Sequence, residues 1–435
     1  MPDFIPFEIP PGVVSFATGA KRTSNWREAN LVRWVNGKMM PIGPWEAISY
    51  GSTPATTVRA VHQWRDNYGQ NWTAYLTEDN VYVANQSGGI TSIDSLTDPL
   101  EDYSASLIAG GYSDGNYNEA NYGDARALAA PRLAYGPCFT LDNWGQELRF
   151  MTSADGRLYK WVPPIPGDPI PKASLVSGAP TGGRTFVVTP ERHIIIYGVD
   201  DAGANPAAYA WCDKEDDTNW NFASLSSQAG TLPVEPASPV VAARHAGDAG
   251  TLFFTLRHAY MSRYIGVPYI YTHYEVEGGS IPLTAASLVR GGDKVYWPSR
   301  NGWWSFSGSI QPIDCPIWSW IDDNIDWDAA NLYAVCVHHA KRSEIWFSFP
   351  TTFDGTNHLT AIYNYREGWW SQGKFGRTAG FAEDLLLRPT MVNGTTFYQH
   401  ESGNGYPGAS EGPYLETFTL NVSNGSLLSK MRQIM

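Results

Sequence analysis

A short apolar or aromatic segment, bounded by turn residues, recurs seven times and constrains the fold more than any other feature of the sequence. Each copy shows an aromatic-x-aromatic or apolar alternation, the pattern that repeated antiparallel strands produce. The copies are Asn80–Val83, Arg157–Trp161, Ala208–Trp211, His258–Met261, Gly302–Phe306, Ala361–Tyr365 and Thr396–His400. They lie roughly 35 to 77 residues apart, an interval that brackets the length of one propeller blade. The spacing therefore predicts repeated antiparallel sheets.

Several copies follow a second strand across a tight turn. Glu147–Phe150 precedes Asp155-Gly156, and Lys294–Trp297 precedes Asn301-Gly302. Asp-Gly and Asn-Gly are the residue pairs that hairpin turns favour, so each strand pair forms half a blade. We predict an all-β chain organised as a β-propeller of six or seven blades, with an N-terminal arm and additional β elements. Two β-sandwiches are the alternative, because they also consist of short alternating strands between turns.

The composition favours strands and turns over helices. Aromatic residues make up 14% of the chain, with 18 Trp and 24 Tyr, and they accompany 42 Gly and 30 Pro. Aromatic residues suit pleated surfaces, and Gly and Pro suit turns. With 43% hydrophobic and only 17% charged residues, the chain can also bury a sizeable core.

Three segments are predicted along the chain. Residues 1–50 form an N-terminal arm with a hairpin at Asn36-Gly37, residues 51–410 form the propeller, and residues 411–435 begin a C-terminal β segment. A Gly/Asn/Tyr-rich stretch near 104–125 is predicted to be an exposed loop inserted in the propeller. The proline-rich stretch 163–180 is predicted to be an extended connector between blades.

The charge and the apolar runs exclude two classes of partner. The net charge of −13 opposes general affinity for phosphate backbones or anionic membranes. No apolar run approaches the length that spans a bilayer, so no membrane segment is expected. Four cysteines without a C-x-x-C pair indicate reduced thiols made in a reducing compartment.

Four groups of residues suggest chemistry, and each also has a structural interpretation. The acidic run Asp213–Asp217 resembles a cation loop but lacks its central Gly and distal Glu, so a solvated turn is expected. Asp314 and the set Asp322–Asp328 could supply the paired carboxylates of a glycosidase, but a helix N-terminus or an exposed loop is the expected explanation. Cys336 with His338-His339, and His400-Glu401, lack a second ligand pair and are expected to be surface or strand residues.

The tryptophan pairs Trp303-Trp304 and Trp369-Trp370 could stack on sugars. Because neighbouring strand residues point to opposite faces, one ring of each pair is expected in the core. No nucleophile elbow, P-loop or dinucleotide fingerprint occurs in the sequence. We therefore expect no enzymatic activity, no catalytic residue, no metal and no cofactor.

An ordered set of landmarks runs through most of positions 25 to 430. The landmarks are Leu31–Gly37, Pro41–Trp45, Phe139–Leu148, Tyr159–Trp161, Ala210–Asp213, Tyr264–Pro268, Trp303–Gly308, Glu344–Pro350, Ile362–Tyr365 and Tyr398–Gly403. In this order they resemble the tail nozzle (tail tubular protein B-like) and hub proteins of short-tailed bacteriophages. Members of that group continue into a further β segment, so a C-terminal part beyond Met435 is conceivable.

The resemblance implies a structural virion protein of the phage tail, synthesised in the host cytoplasm. Its subunits would form a ring, with a hexamer as the expected stoichiometry, at the distal end of the tail tube through which DNA is ejected. The implied partners are other copies of the chain, the tail adaptor or portal-side proteins, tail fibres, and DNA only in transit. A net acidic chain suits a conduit, because it repels the phosphates that pass through it.

Rings require exposed aromatic and loop surfaces on two different faces of each subunit. We expect the N-terminal arm and the 104–125 loop to supply them. The candidate subunit-contact residues are Trp26, Trp34, Trp45, Tyr112, Tyr117 and Tyr122.

Two other functions compete with this one. A carbohydrate-binding or glycan-cleaving propeller would present a pocket with a Trp and two converging carboxylates. A cytosolic propeller scaffold would present apolar patches without ring symmetry.

Overall fold

The computed structural model describes residues 9–15, 25–50, 52–85, 89–95, 97–100, 136–199, 207–381, 389–418, 420–421, 428–429 and 432–434. The chain divides into two compact units. The 50–277 unit comprises residues 50–277 and 281–286, and the terminal unit comprises residues 1–49, 278–280 and 287–435.

Two of the four N-terminal strands form a hairpin, and the other two pair with strands from later in the chain. They are β1 (Trp26–Asn30), β2 (Val32–Val35), β3 (Lys38–Pro41) and β4 (Trp45–Ile48). Strands β2 and β3 pair with Val35 opposite Lys38, so the turn is Asn36-Gly37, and both turn residues have positive φ, 51° and 73°. The predicted hairpin is confirmed.

Four sheets of four antiparallel strands make up the 50–277 unit. Sheet 1 contains β5 (Val58–Arg65), β6 (Asn71–Thr77), β7 (Val81–Asn85) and β8 (Thr91–Ser92). Sheet 2 contains β9 (Phe139–Trp144), β10 (Glu147–Thr152), β11 (Tyr159–Trp161) and β12 (Ser174–Leu175). Sheet 3 contains β13 (Thr185–Val188), β14 (Ile194–Tyr197), β15 (Tyr209–Trp211) and β16 (Gly230–Leu232). Sheet 4 contains β17 (Val240–His245), β18 (Thr251–Thr255), β19 (Ala259–Gly266) and β20 (Ile270–Val276).

Three further sheets of four strands belong to the terminal unit. Sheet 5 contains β21 (Val289–Gly291), β22 (Lys294–Ser299), β23 (Gly302–Phe306) and β24 (Ile310–Ile313). Sheet 6 contains β25 (Val335–His339), β26 (Glu344–Phe349), β27 (Leu359–Asn364) and β28 (Trp369–Gly373), and it is preceded by the short helices α1 (Trp318–Asn324) and α2 (Trp327–Tyr333). Sheet 7 contains β29 (Ala379–Phe381), β30 (Thr390–Asn393) and β31 (Thr396–His400), and its fourth strand is β4.

The last strands pair outside these seven sheets. They are β32 (Tyr414–Thr417), β33 (Leu420–Asn421), β34 (Leu428–Ser429) and β35 (Arg432–Ile434). Strand β32 pairs with both β1 and β35 in a three-stranded sheet, and β33 pairs with β34.

Seven four-stranded sheets in this order confirm the prediction of an all-β propeller and set the blade number at seven. Each of the seven recurring segments overlaps the third strand of one sheet. Within each unit, the first strands of successive sheets contact each other. No helix in the described part of the chain is long and apolar enough to span a membrane.

The second strands of the sheets are largely buried, and sheets 2, 3 and 6 have a neighbouring sheet on each face within their own unit. Every residue of Ile194–Tyr197, Thr251–Thr255 and Glu344–Phe349 is buried. Between sheets 1 and 2, Trp64 and Trp72 pack against Leu148 and Trp161 in one apolar cluster. Fully burying such large rings is a main source of stability in a fold of short strands.

Two predicted boundaries differ from the structure. Residues 45–48 pair with β31 and complete sheet 7, so part of the predicted arm belongs to the propeller. The proline-rich stretch is only partly a connector between blades, because residues 162–173 link the third and fourth strands of sheet 2, while residues 176–184 lead from sheet 2 to sheet 3. The predicted loop at 104–125 lies outside the described residues.

Candidate functional site

One end of the 50–277 unit collects exposed apolar side chains. In a four-stranded antiparallel sheet, the turn between strands one and two lies at the same end as the turn between strands three and four. We call this end of sheets 1 to 4 the apolar end. Of the ten large hydrophobic residues that are exposed in the described part of this unit, only Tyr274 lies away from it. The other nine are Tyr68, Val162, Ile165, Phe222, Leu225, Tyr264, Ile265, Val267 and Tyr269.

The β19–β20 hairpin carries four of these nine residues. Its tip exposes Val267 and Tyr269 to 73% and 74%, and Gly266 turns the chain with a φ of 79°. In sheet 3, Leu225 lies fully exposed on the connection between β15 and β16. Soluble proteins seldom gather exposed apolar residues in this way unless the surface binds something.

The charges of the apolar end are balanced. The exposed charged residues in or beside its turns are Asp168, Glu215, Asp216 and Asp248 against Arg65, Lys172, Lys214, Arg244 and Arg263. The whole 50–277 unit, in contrast, contains 14 basic and 25 acidic residues, a net charge of −11. Although the unit as a whole is acidic, the described residues of the apolar end therefore present a nearly neutral surface.

A second feature is a buried charge cluster in the terminal unit. Arg33 Nη1 donates to Glu401 Oε1 at 2.7 Å, and Arg33 Nε lies 3.2 Å from Glu344 Oε1. Arg342 Nη2 donates to Glu401 Oε2 at 3.2 Å, and His339 Nε2 lies 3.5 Å from Glu401 Oε1. The side chains of Arg33 and Glu344 are only 2% exposed. Although burial opposes its ionisation, contacts with His339, Arg33 and Arg342 lower the pKa of Glu401.

The third guanidinium of this cluster has an unusual partner. Arg377 Nε and Nη2 both donate to Nε2 of His400, at 3.1 and 3.0 Å. The Arg377 guanidinium also stacks over the rings of Trp45, Phe375 and Tyr398, with its carbon 4.4 to 4.9 Å from their centroids. Since one nitrogen accepts two N–H groups, His400 is neutral. Burial and the neighbouring Arg377 lower the pKa of His400 well below its usual value.

The cluster brings together residues that the sequence analysis singled out separately. His339 comes from β25, while His400 ends β31 and Glu401 follows it. The expectation of surface or strand residues is met by its second alternative, because His339 and His400 lie in strands, where both are buried in the core between sheets 6 and 7. No group of three or more His, Cys, Asp or Glu side chains in the described residues is arranged to hold a metal ion. The cluster links β2 to sheets 6 and 7, which is a structural role.

The acidic run Asp213–Asp217 is a turn in which three of the four carboxylates accept hydrogen bonds from other residues. Asp217 Oδ2 accepts hydrogen bonds from Arg149 Nε and Nη2, at 2.9 and 2.6 Å. Asp213 accepts from the side chain of Asn219 and from the backbone of Lys214. Hydrogen bonds from the side chain and backbone of Thr218 lower the pKa of Asp216. This agrees with the predicted turn, except that Asp217 is buried in an ion pair.

The second acidic set forms parts of the two helices. Asp326 caps α2, accepting from the backbone N–H groups of Asp328 and Ala329. Asp322 accepts a hydrogen bond from the indole of Trp327. Capping satisfies backbone donors that a helix leaves unpaired, so the structural interpretation of this set holds.

The tryptophan pairs divide between core and surface as predicted. Trp303 and Trp370 are 1% exposed, whereas Trp304 and Trp369 are only partly buried. The Trp303 and Trp370 rings pack edge to face with centroids 5.0 Å apart.

The structure places three of the six candidate subunit-contact residues. Trp34 is 4% exposed and Trp45 is 1% exposed, so we assign both to the core of the chain and not to a subunit contact. Trp45 is buried because strand β4 completes sheet 7. Trp26 is half-buried on β1 and stays a candidate, while Tyr112, Tyr117 and Tyr122 lie outside the described residues.

The sequence analysis missed the apolar end. Its nine residues are scattered between positions 68 and 269, and only the strand order brings them to one end. A signal was available in the connections themselves, because Ile165, Leu225 and Val267 are apolar residues within turn-rich segments.

Solved structures resemble the chain in fold. An inactive virginiamycin B lyase from Staphylococcus aureus with quinupristin matches with a TM-score of 0.46 and 11% identity, over 82% of this chain and 97% of that one. YCF48 from Cyanidioschyzon merolae matches with a TM-score of 0.41 and 8% identity, over 82% and 98% of the two chains. PorZ of Porphyromonas gingivalis, a surface component of the type-IX secretion system, matches with a TM-score of 0.42 and 6% identity, over 90% and 46%.

At these identities the likeness concerns the propeller fold and says nothing of activity. No protein-family model matches the chain. No curated protein matches it either.

Proposed function

We propose that the chain is a structural virion protein, the ring-forming tail nozzle or hub of a short-tailed bacteriophage. The observation that carries the proposal is the apolar end, where nine large apolar side chains are exposed on one end of four sheets. A surface of this kind suits protein assembly better than catalysis. The sequence resemblance to tail nozzle proteins supports the identity of the assembly.

The charged side chains also support a non-enzymatic role. Three of the carboxylates and histidines that suggested chemistry have structural partners: Asp217 pairs with Arg149, Glu401 with Arg33, and His400 with Arg377. Catalytic groups, in contrast, must reach a substrate in a cleft. The acidic surface would let ejected DNA pass without binding it.

The native mass of the purified chain tests this proposal. Native mass spectrometry and negative-stain imaging should show a closed ring, with a hexamer expected. A chain that stays monomeric at high protein concentration would count against the nozzle. Detection of the chain in purified virions would locate it in the tail.

A glycan-binding propeller is a second candidate, favoured by one observation. Tyr68, Tyr264 and Tyr269 are exposed at the same apolar end, and flat rings pack against the apolar faces of sugars. A glycan array with the wild-type chain and a Tyr264→Ala/Tyr269→Ala variant distinguishes the two. Binding that the variant loses supports glycan recognition, while a blank array supports the structural role.

A further inference from the structure

We propose that four neighbouring turns of the terminal unit contact the phosphate backbone of double-stranded DNA. The inference rests on the proposed function and names the surface that would meet the DNA during ejection. The turns join β2 to β3, β21 to β22, β25 to β26 and β27 to β28. With their adjoining strand residues they are 36–38, 290–294, 340–343 and 365–368, and we call them the basic turns.

Contacts between the basic turns make them one continuous surface. The Tyr365 ring lies against the β21–β22 turn, because a Cβ at Gly291 would come within 3.2 Å of it. The backbone N–H of Tyr365 donates to the carbonyl of Ser343 in the β25–β26 turn, at 3.0 Å. Glu367 Oε1 accepts the backbone N–H of Asn36 at 2.9 Å and so holds the β2–β3 turn beside sheet 6.

The basic turns carry five basic side chains that form no ion pair with a carboxylate of the described chain. A sixth, Arg342, pairs with Glu401. Every other basic residue whose side chain the structure describes in the terminal unit contacts a carboxylate or, for Arg377, a histidine. The five without an ion pair are exposed or half-buried, and they are Lys38, Arg290, Lys294, Lys341 and Arg366.

The acidic residues of the basic turns do not neutralise these charges. Asp293 and Glu367 are the two acidic residues in the four turns. Both oxygens of Glu367 accept from neutral donors, the backbone of Asn36 and the indole of Trp369. With the pair of Arg342 and Glu401 counted as neutral, the basic turns have a net charge of +3 within a chain of net charge −13. A local positive surface on an acidic chain attracts phosphates there, while the rest of the chain repels them.

The surface fits a phosphate polymer better than a protein partner. None of the large hydrophobic residues exposed in the described chain lies within the basic turns, whereas protein interfaces have an apolar centre. The basic side chains are distributed over four turns and do not converge on one point, so they match successive phosphates of a backbone. The chain thus combines a general repulsion of DNA with one surface that contacts it.

DNA binding by the purified full-length chain tests this contact. The probe is a short, fluorescently labelled DNA duplex, and fluorescence anisotropy measures its affinity for the chain as the salt concentration changes. Five phosphate contacts give a slope of about −4.5 for log K against log salt, which is about a 500-fold loss between about 0.05 and 0.2 M salt.

A charge-matched pair of variants locates the contact. Lys341→Gln/Arg366→Gln removes two charges from the basic turns, so it should weaken binding and reduce the slope to about −2.7. The control, Lys214→Gln/Arg257→Gln, removes two exposed charges from the 50–277 unit and should keep the wild-type slope. All four side chains are exposed, so thermal unfolding of both variants should match that of the wild type.

Three results would overturn the contact. They are a wild-type chain that does not bind the duplex at about 0.05 M salt, equal losses of binding in the two variants, and a slope that neither variant changes. A chain that binds labelled poly-glutamate but not the duplex would also overturn it and identify an acidic protein as the partner.

The outcomes separate this contact from the proposed ring. A ring that does not bind DNA overturns the contact and retains the nozzle. A chain that stays monomeric, yet binds DNA through the basic turns, supports the contact and overturns the nozzle.

Discussion

Individual side chains in the terminal unit hold buried charges by two different means. Arg33 is neutralised by the carboxylates of Glu344 and Glu401. Arg377 instead has a neutral histidine and three aromatic rings around its guanidinium. An unpaired buried charge is costly, so both arrangements should be sensitive to substitution.

Replacing Arg33 with methionine should destabilise the fold by about 3 to 5 kcal/mol, because Glu344 and Glu401 lose a buried partner. The matched control is Arg300→Met, which breaks an exposed pair with Asp328 at 3.7 Å. Exposed pairs contribute about 0 to 1 kcal/mol. Urea unfolding of the three proteins measures both changes, and equal losses in the two variants would contradict the assigned role of Arg33.

Lowering the pH should reduce the free energy of unfolding, in part through His400. Its pKa is lowered in the folded state, so below pH about 6.5 the unfolded chain binds more protons and stability falls as the pH falls. The change approaches about 1.4 kcal/mol per pH unit for one such group. His400→Gln keeps an acceptor for Arg377 and does not titrate.

The free energy of unfolding of wild type and His400→Gln should therefore diverge between pH 7.5 and 5. Burial also lowers the pKa of His193 and His273, so the variant should reduce the pH dependence and not remove it. Parallel curves for the two proteins would show that His400 does not titrate as the geometry requires.

Sequence reasoning predicts local residue placement better than distant pairing. Strand alternation correctly placed one ring of Trp303-Trp304 and one of Trp369-Trp370 in the core. It could not place Arg33 beside Glu401, because 368 residues separate them and only the fold brings them together.

At the scale of elements, the repeated third strands were predictable from the sequence. The strand that completes sheet 7, β4, was not. The third strand of every sheet has a turn beside it and an alternating pattern, which the sequence displays. Strand β4 has the same pattern, yet its neighbour β31 lies at the other end of the sequence. The helices α1 and α2 are seven residues each, too short for a clear periodicity.

The β2–β3 turn gives a test of the N-terminal hairpin. Gly37 has a φ of 73°, and a Cβ at this position would meet nothing within 4 Å. Gly37→Ala should therefore cost about 1 to 2 kcal/mol through backbone conformation alone.

Gly405 is the matched control, because a Cβ there also meets nothing within 4 Å and no positive φ is imposed. Gly405→Ala should leave the thermal midpoint unchanged or slightly higher. If both variants behave alike in thermal unfolding, the positive φ at Gly37 does not constrain the hairpin.

For the self-association of the whole molecule, the distribution of charge matters more than the net charge. The 50–277 unit carries −11 of the net −13, while its apolar end is nearly neutral. Self-association therefore has to overcome general repulsion and rely on apolar contact.

Salt should strengthen self-association. Raising the ionic strength from about 0.01 to 0.15 M shortens the Debye length from about 30 to 8 Å and screens repulsion between the acidic chains. Sedimentation velocity at the two salt concentrations should show more assembly at the higher one. Assemblies that dissociate as the salt concentration increases would indicate an interface stabilised by ion pairs.

The strand pairing in sheet 7 also determines when this sheet can be completed during synthesis. Its fourth strand, β4, precedes the other three in the sequence, and the strand it pairs with ends at His400. Until that strand is made, Trp45 has no ring of Phe375 or His400 to pack against. While sheets 1 to 6 are synthesised, β4 lacks its partner and is open to aggregation and to binding by chaperones. Sheet 7 is thus completed only after the six other sheets of the propeller have been made.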